Sequence, residues 1–155
     1  MDVIKQFKGN LIGVDTSIFI YFIEGNPTYS KFTNDFFLKN QKGEFNIITS
    51  VITLLEVLIL PYRNSRDDLI KEYKAIFEES RGIDLVDLTP EISEISAKLR
   101  ADYRIRTPDS IELGTAIYGG ADYFLTNDIR LEAIKEIPII VLNKIIQLKH
   151  ISRPF

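Results

Sequence analysis

Short apolar runs that stop abruptly and give way to segments of helical period recur along this chain, and that alternation constrains its fold more than any other feature. Leu11–Val14 is apolar and ends at Asp15, after which bulky apolar side chains continue over residues 16–23 until Glu24-Gly25-Asn26-Pro27 breaks the pattern. That order reads as strand, helix, turn. It repeats: residues 45–49 are β-branched and aromatic, Ser50 is placed to cap, and 51–60 read as a helix expected to end before Pro61. Over 67–80, Leu69, Ile70, Tyr73, Ile76 and Phe77 keep helical spacing, which stops near Gly82 and yields to a strand-like run at 83–88. Thr89-Pro90-Glu91 opens a helix to about Tyr103, and Thr107-Pro108-Asp109 opens another through Tyr118. Proline at a first helical position has no amide proton to lose. Gly119-Gly120 ends the second of these before the run Tyr123–Thr126, and a last strand is expected at 139–142. Strands alternating with helices imply right-handed crossovers, so the chain is read as a doubly wound α/β fold with a mostly parallel sheet covered by helices on both faces.

A chain of 155 residues fits one core, and no linker, repeat or low-complexity tract divides it, so 1–155 is expected to be a single domain. The balance of 45% hydrophobic and 26% charged residues suits an ordinary folded protein. With no cysteine, disulfides, thiolate nucleophiles and sulfur-ligated zinc are excluded. The first ten residues are too polar for a secretory apolar region, and the apolar run at 51–60 is interrupted by Glu56 and shorter than the ~17–25 residues a membrane span needs. A cytoplasmic protein without membrane association is expected.

Four acids fall where such a sheet gathers its ligands, at or beyond the carboxyl ends of strands or on the helices that cross back. They are Asp15, Glu56, Asp109 and Asp128. Each also has a plain structural role open to it. Asp15 suits the cap of the following helix, Asp109 the positive end of its own, and Asp128 an Asx-type turn in Thr126-Asn127-Asp128. Glu56 stands alone in an apolar helix, where a buried carboxylate needs a partner, unless it lies on a solvent-facing stripe. Carboxylates packed together repel unless a cation joins them, and hard oxygen donors select Mg²⁺ or Mn²⁺. Such an ion can activate water and stabilise a leaving oxygen in phosphodiester cleavage. The single histidine, His150, leaves no paired-histidine mechanism, and no glycine-rich triphosphate loop is present.

The net charge of −3 is unusual for a nucleic-acid binder, although a local patch outweighs the sum. Lys98, Arg100, Arg104 and Arg106, just ahead of Asp109, are candidates for such a patch at the rim of the acidic crevice, and equally for a solvated helix face. Ile18, Phe19, Tyr21 and Phe22 read mainly as core, with an apolar groove for a partner as the alternative.

Val14-Asp15-Thr16-Ser17, Thr53-Leu54-Leu55-Glu56-Val57, Arg106-Thr107-Pro108-Asp109-Ser110 and Leu125-Thr126-Asn127-Asp128 resemble the successive acidic motifs of the PIN-domain family, across nearly the whole chain. The resemblance implies a five-stranded parallel sheet and an endoribonuclease dependent on Mg²⁺ or Mn²⁺, often a VapC-type toxin opposed by a cognate antitoxin. It also implies a homodimer. Carried over, Asp15, Glu56, Asp109 and Asp128 become the catalytic, metal-holding acids; Thr126 and Asn127 become supporting hydrogen-bonders near the metal, and Ser17 helps orient Asp15. One departure is Glu112, in a stretch where the family often has small apolar residues; it could add a ligand, and is expected rather to face solvent or to stand behind the ligands. Other readings are an RNA-processing nuclease, a catalytically silent binding module suggested by the acidic charge, and, more remotely, a receiver-like domain with Asn143-Lys144 as a loose match.

Overall fold

The structure is a computed structural model and describes residues 2–151, with side chains described as far as Gln147. His150 lies beyond those side chains. After a short helix α1 (Val3–Gln6) come strand β1 (Leu11–Val14), α2 (Thr16–Ile23) and α3 (Ser30–Gln41). They are followed by β2 (Asn46–Ser50), α4 (Val51–Arg63), α5 (Asp67–Glu79) and β3 (Ile83–Val86). The chain then forms α6 (Pro90–Tyr103), α7 (Thr107–Tyr118), β4 (Tyr123–Thr126), a 3₁₀ turn (Ile129–Ala133), β5 (Ile139–Val141) and α8 (Leu142–Ile151).

The five strands lie in the order β3-β2-β1-β4-β5, and every pairing is parallel. The doubly wound α/β reading therefore holds. From β1 the chain winds outward through β2 to β3, then returns to the other side of β1 for β4 and β5. The switch point lies beside β1, where a sheet of this kind opens a crevice at its carboxyl edge.

Successive strand residues point to opposite faces, and two cores result. Ile12, Val14, Ile47 and Leu125 pack with Phe19, Phe36, Phe37, Val57, Tyr73 and Phe77 on the side of α2 to α5. Burying one such large side chain contributes roughly 1.5–3 kcal/mol. On the other face Phe124 packs with Leu99 of α6, Leu113 and Ala116 of α7, and Leu131. Gly13 makes this second face possible. A Cβ there would lie 2.6 Å from the Ala116 Cβ and 2.9 Å from the Phe124 ring, so glycine lets α7 settle against β1.

Several boundaries differ from the sequence reading. Helix α4 does not stop before Pro61 but runs to Arg63, with Pro61 buried in its last turn. A proline so near the end removes one backbone bond without breaking the preceding turns. Strand β3 ends at Val86 rather than 88 because its partner β2 ends at Ser50, opposite Val86. The sequence reading assigned nothing to α3, which buries Phe32, Phe36 and Phe37 at helical spacing but has no side-chain cap at Tyr29 to mark its start. The sequence reading likewise assigned nothing to helix α8. The amide of Asn143 is capped by the distant Asn127 Oδ1 at 2.9 Å, so its start signal is tertiary.

Candidate metal centre

Asp15 is the first residue beyond β1. Its amide continues the sheet by donating to Leu125 O at 3.0 Å, and its carboxylate turns into the crevice. Oδ1 accepts from the Thr16 amide at 2.7 Å, capping α2, while Oδ2 accepts from Thr126 Oγ1 at 2.5 Å. Capping and facing the crevice are thus compatible roles for one carboxylate. Thr126 is itself fixed by the register that sets Val14 opposite Leu125, and its Oγ1 accepts from the Asp128 amide at 3.0 Å.

Asp109 and Glu112 stand three positions apart at the start of α7, on one helix face, and both are buried. Asp15, Asp109 and Glu112 each offer a carboxylate oxygen, and the three atoms lie within 4.8 Å of one another. Glu56 enters from α4, half-buried, with Oε1 accepting from Thr16 Oγ1 at 2.8 Å. Asp128 caps the 3₁₀ turn through the Arg130 amide at 3.0 Å. Asp15, Glu56, Asp109 and Asp128 line one cleft of about 500 Å³, together with Ser17 and Asn127.

Glu112 corrects the expectation of a solvent-facing side chain: it is 3% exposed. Its Oε1 accepts from Thr53 Oγ1 at 2.7 Å and also contacts Thr16 Oγ1. Thr16 and Thr53 are the polar partners that the sequence reading passed over. The available signal for Glu112 was its three-residue offset from Asp109, which puts both on one face once the helix is granted.

The supporting residues divide. Thr126 donates its hydroxyl to Asp15 Oδ2. Asn127 places Nδ2 on Tyr21 OH at 3.2 Å and Oδ1 on the Asn143 amide, so its hydrogen bonds brace the wall of the cleft. Ser17 does not orient Asp15; among the described residues its Oγ is buried with no hydrogen-bond partner, and the Thr16 amide does that work. Of the residues expected as core or groove, Ile18 and Phe19 are fully buried, Phe22 stacks on Phe37 at 4.3 Å, and Tyr21 stacks on Tyr29 at 4.2 Å beside the cleft.

The basic candidates also divide. Lys98 pairs with Asp102 at 2.9 Å, and Arg100 is tied to Ile105 O at 2.8 Å and Thr107 Oγ1 at 2.7 Å; neither lines the cleft. Arg106 does line it, and Arg104 lines a neighbouring recess of about 160 Å³ that shares Arg106, Asp109 and Asp128 with the cleft. Arg130, not singled out in the sequence, lines both.

Burial raises the pKa of Asp15 above the ordinary aspartate value. Burial, reinforced by the nearby Asp15, pushes Glu112 well above the ordinary glutamate range. Thr16 shows the same conflict in hydrogen bonds: its single hydroxyl proton faces both Glu56 and Glu112, and can be given to only one. Either a proton sits on the group or a cation replaces it. All-oxygen donors, close carboxylates and a partnerless buried hydroxyl in the wall fit a hard divalent cation. Asp128 lies at the opposite extreme, its pKa lowered chiefly by the hydrogen-bonded Arg130.

A family model described as PIN domain matches residues 12–137. A comparison with curated proteins finds no match. Among solved structures, the chain is similar to VapBC2 from Rickettsia felis bound to a DNA fragment from their promoter, with a TM-score of 0.67 and 19% identity over 84% of this chain and 98% of that one. It is similar to a toxin–antitoxin complex from Klebsiella pneumoniae, with a TM-score of 0.62 and 20% identity over 86% and 98% of the two chains. A VapC toxin of Mycobacterium tuberculosis, described as cleaving the sarcin-ricin loop, gives a TM-score of 0.62 and 16% identity over 83% and 98%. At these identities the likeness speaks for the fold.

Proposed function

This chain belongs to the PIN-domain family, and from that premise we propose that it is a divalent-metal-dependent endoribonuclease acting in the cytoplasm as the toxin half of a toxin–antitoxin pair. The observation that carries the reading is the buried trio Asp15, Asp109 and Glu112, with Glu56 and Asp128 on the walls of the same cleft. Asp15, Asp109 and Glu112 would hold the ion, Mg²⁺ or Mn²⁺, while Glu56 and Asp128 would add ligands directly or through water. When bound, such an ion lowers the pKa of water and neutralises charge developing on a phosphodiester. Thr126 and the Thr16 amide fix both oxygens of Asp15, so its carboxylate enters the site already oriented. Thr53 does the same for Glu112. Arg106 and Arg130 on the rim would meet the RNA backbone, with Arg104 beside them.

The toxin role is supported by the likeness to VapBC complexes, whose fold this chain shares. An antitoxin and a second copy of the chain are the protein partners proposed. Exposed Leu55, Ile59 and Tyr62 on one side of α4 offer apolar surface to either. No helix of the described residues is long and apolar enough to cross a membrane.

Structured RNA incubated with the purified protein is expected to be cut with Mn²⁺ and left intact with EDTA, and Asp15→Asn is expected to abolish cutting. Cleavage that persists in EDTA and in Asp15→Asn would reject the metal mechanism.

A further inference from the structure

Two of the acids in the cleft carry a cation of the chain's own. Arg106 sets its fork on Asp109, Nε to Oδ2 at 3.1 Å and a terminal nitrogen to Oδ1 at 3.3 Å. Arg130 does the same to Asp128, Nε to Oδ1 at 2.9 Å and a terminal nitrogen to Oδ2 at 2.7 Å. Both oxygens of both carboxylates are therefore engaged by guanidinium, and all four residues line both the cleft and the neighbouring recess. Asp15 and Glu112 are held by no arginine among the described residues, and burial leaves both with raised pKa values.

The pairs are lopsided in exposure. The Arg106 side chain is 64% exposed against 8% for Asp109, and Arg130 is 71% exposed against 24% for Asp128. A guanidinium so placed loses little by leaving, because water takes over its hydrogen bonds. The carboxylate left behind cannot be rehydrated to the same degree and needs another positive charge. A divalent ion concentrates in one atom the two charges that the arginines carry between them, and can share them with Asp15 and Glu112 as well. Arg104, Arg106 and Arg130 together line one recess of about 160 Å³ beside the acids. Planar forks of this kind suit the oxygens of a phosphate or sulfate.

Resting on the metal-site reading above, we infer that Arg106 and Arg130 are exchangeable counter-ions: they hold Asp109 and Asp128 in the metal-free protein, and a divalent ion displaces them into an anion site for a backbone phosphate beside the metal. Metal loading and phosphate binding are then coupled, and the coupling is reciprocal. The arginines weaken metal binding when no anion is present and strengthen it when one is.

Calorimetric titration with Mn²⁺ alone tests the exchange, on the wild type, Arg106→Gln, Arg130→Gln, the double variant and Arg66→Gln. Arg66 forms a like fork on Asp68, at 3.0 and 2.8 Å, away from the cleft, and so controls for loss of net charge. Each cleft substitution is expected to tighten Mn²⁺ binding roughly threefold to fivefold and the pair together about tenfold, as for loss of competing exposed ion pairs. Arg66→Gln should stay within about twofold of wild type. Equal affinity in all five proteins overturns the inference while leaving the metal site standing. No heat from any of them at millimolar Mn²⁺ rejects the metal site itself. Titration with sulfate, which stays soluble with Mn²⁺, supplies the second readout. Wild type should bind it with Mn²⁺ and not with EDTA, and the double variant in neither. Equal sulfate binding with and without Mn²⁺ also overturns the exchange.

Discussion

The cleft holds acids of two kinds, and their surroundings differ more than their chemistry. Asp15, Asp109 and Glu112 are all at least nine-tenths buried at its base, whereas Glu56 and Asp128 sit half-buried on its walls. Asp128 is satisfied by Arg130, and its pKa is lowered. Glu112 meets two hydroxyls and the carboxylate of Asp15, and its pKa is driven up by burial and by Asp15. The same kind of group is thus at ease at Asp128 and under tension at Glu112. Tension of that kind makes a cation welcome, so the base should dominate metal binding and the walls should adjust it.

The comparison breaks most directly at Glu112. Glu112→Gln is expected to lower RNA cleavage by about 100-fold or more, beyond the 10–100-fold typical of residues that only support metal ligands. A loss below about tenfold, measured beside Asp128→Asn, would put Glu112 outside the metal-holding set.

Gly13→Ala attacks the scaffold rather than the acids. Its Cβ must push Ala116 away, and Ala116 lies on the helix that carries Asp109 and Glu112. A destabilisation of about 1–3 kcal/mol by urea unfolding is expected, with a weakened Mn²⁺ affinity in the remaining folded protein. Unchanged stability would show that α7 does not depend on the close approach.

Without metal, the buried Glu112 should oppose folding near neutral pH. Its folded pKa is raised, so the folded state holds a proton that the unfolded state has released, and stability falls as pH rises above the usual glutamate value of 4.5. Glu112→Gln is therefore expected to stabilise the EDTA-treated protein by about 1–2 kcal/mol at pH 8 and by less at pH 5, while abolishing the stabilisation by Mn²⁺. Thermal melts at the two pH values check the sign.

The walls should respond least. Glu56→Gln is expected to reduce cleavage by about tenfold or less, at or below the lower end of the range for a supporting residue. Lys98→Gln, on the outer face of α6 and paired with Asp102, should change it by less than about twofold. A strong effect of Lys98→Gln on RNA binding would extend the nucleic-acid surface beyond the cleft rim.

Much of the fold was legible because each strand is a short run rich in β-branched or aromatic residues and several helices carry proline or glycine at their ends. Helix α7, with Pro108 at its start and Gly119 after its end, was read to the residue. Helices α3 and α8 were not, because neither carries a local start signal. Among the site residues, Asp15 and Asp128 are legible because each follows a strand, although a turn would also suit Asp128. Arg130 went unnoticed because an arginine two residues from an acid is common, and only the folded 3₁₀ turn bends its fork back onto Asp128.

By itself the order of apolar runs and helical periods determined a parallel, doubly wound sheet, because side-chain period and turn chemistry are local properties of the chain. Which acids sit deep enough to need a cation was decided by tertiary structure alone. Burial depends on what lies across a helix from a residue. Glu112 became an inner acid only when Gly13 let α7 close on the sheet and Thr16 and Thr53 arrived from other elements to meet it.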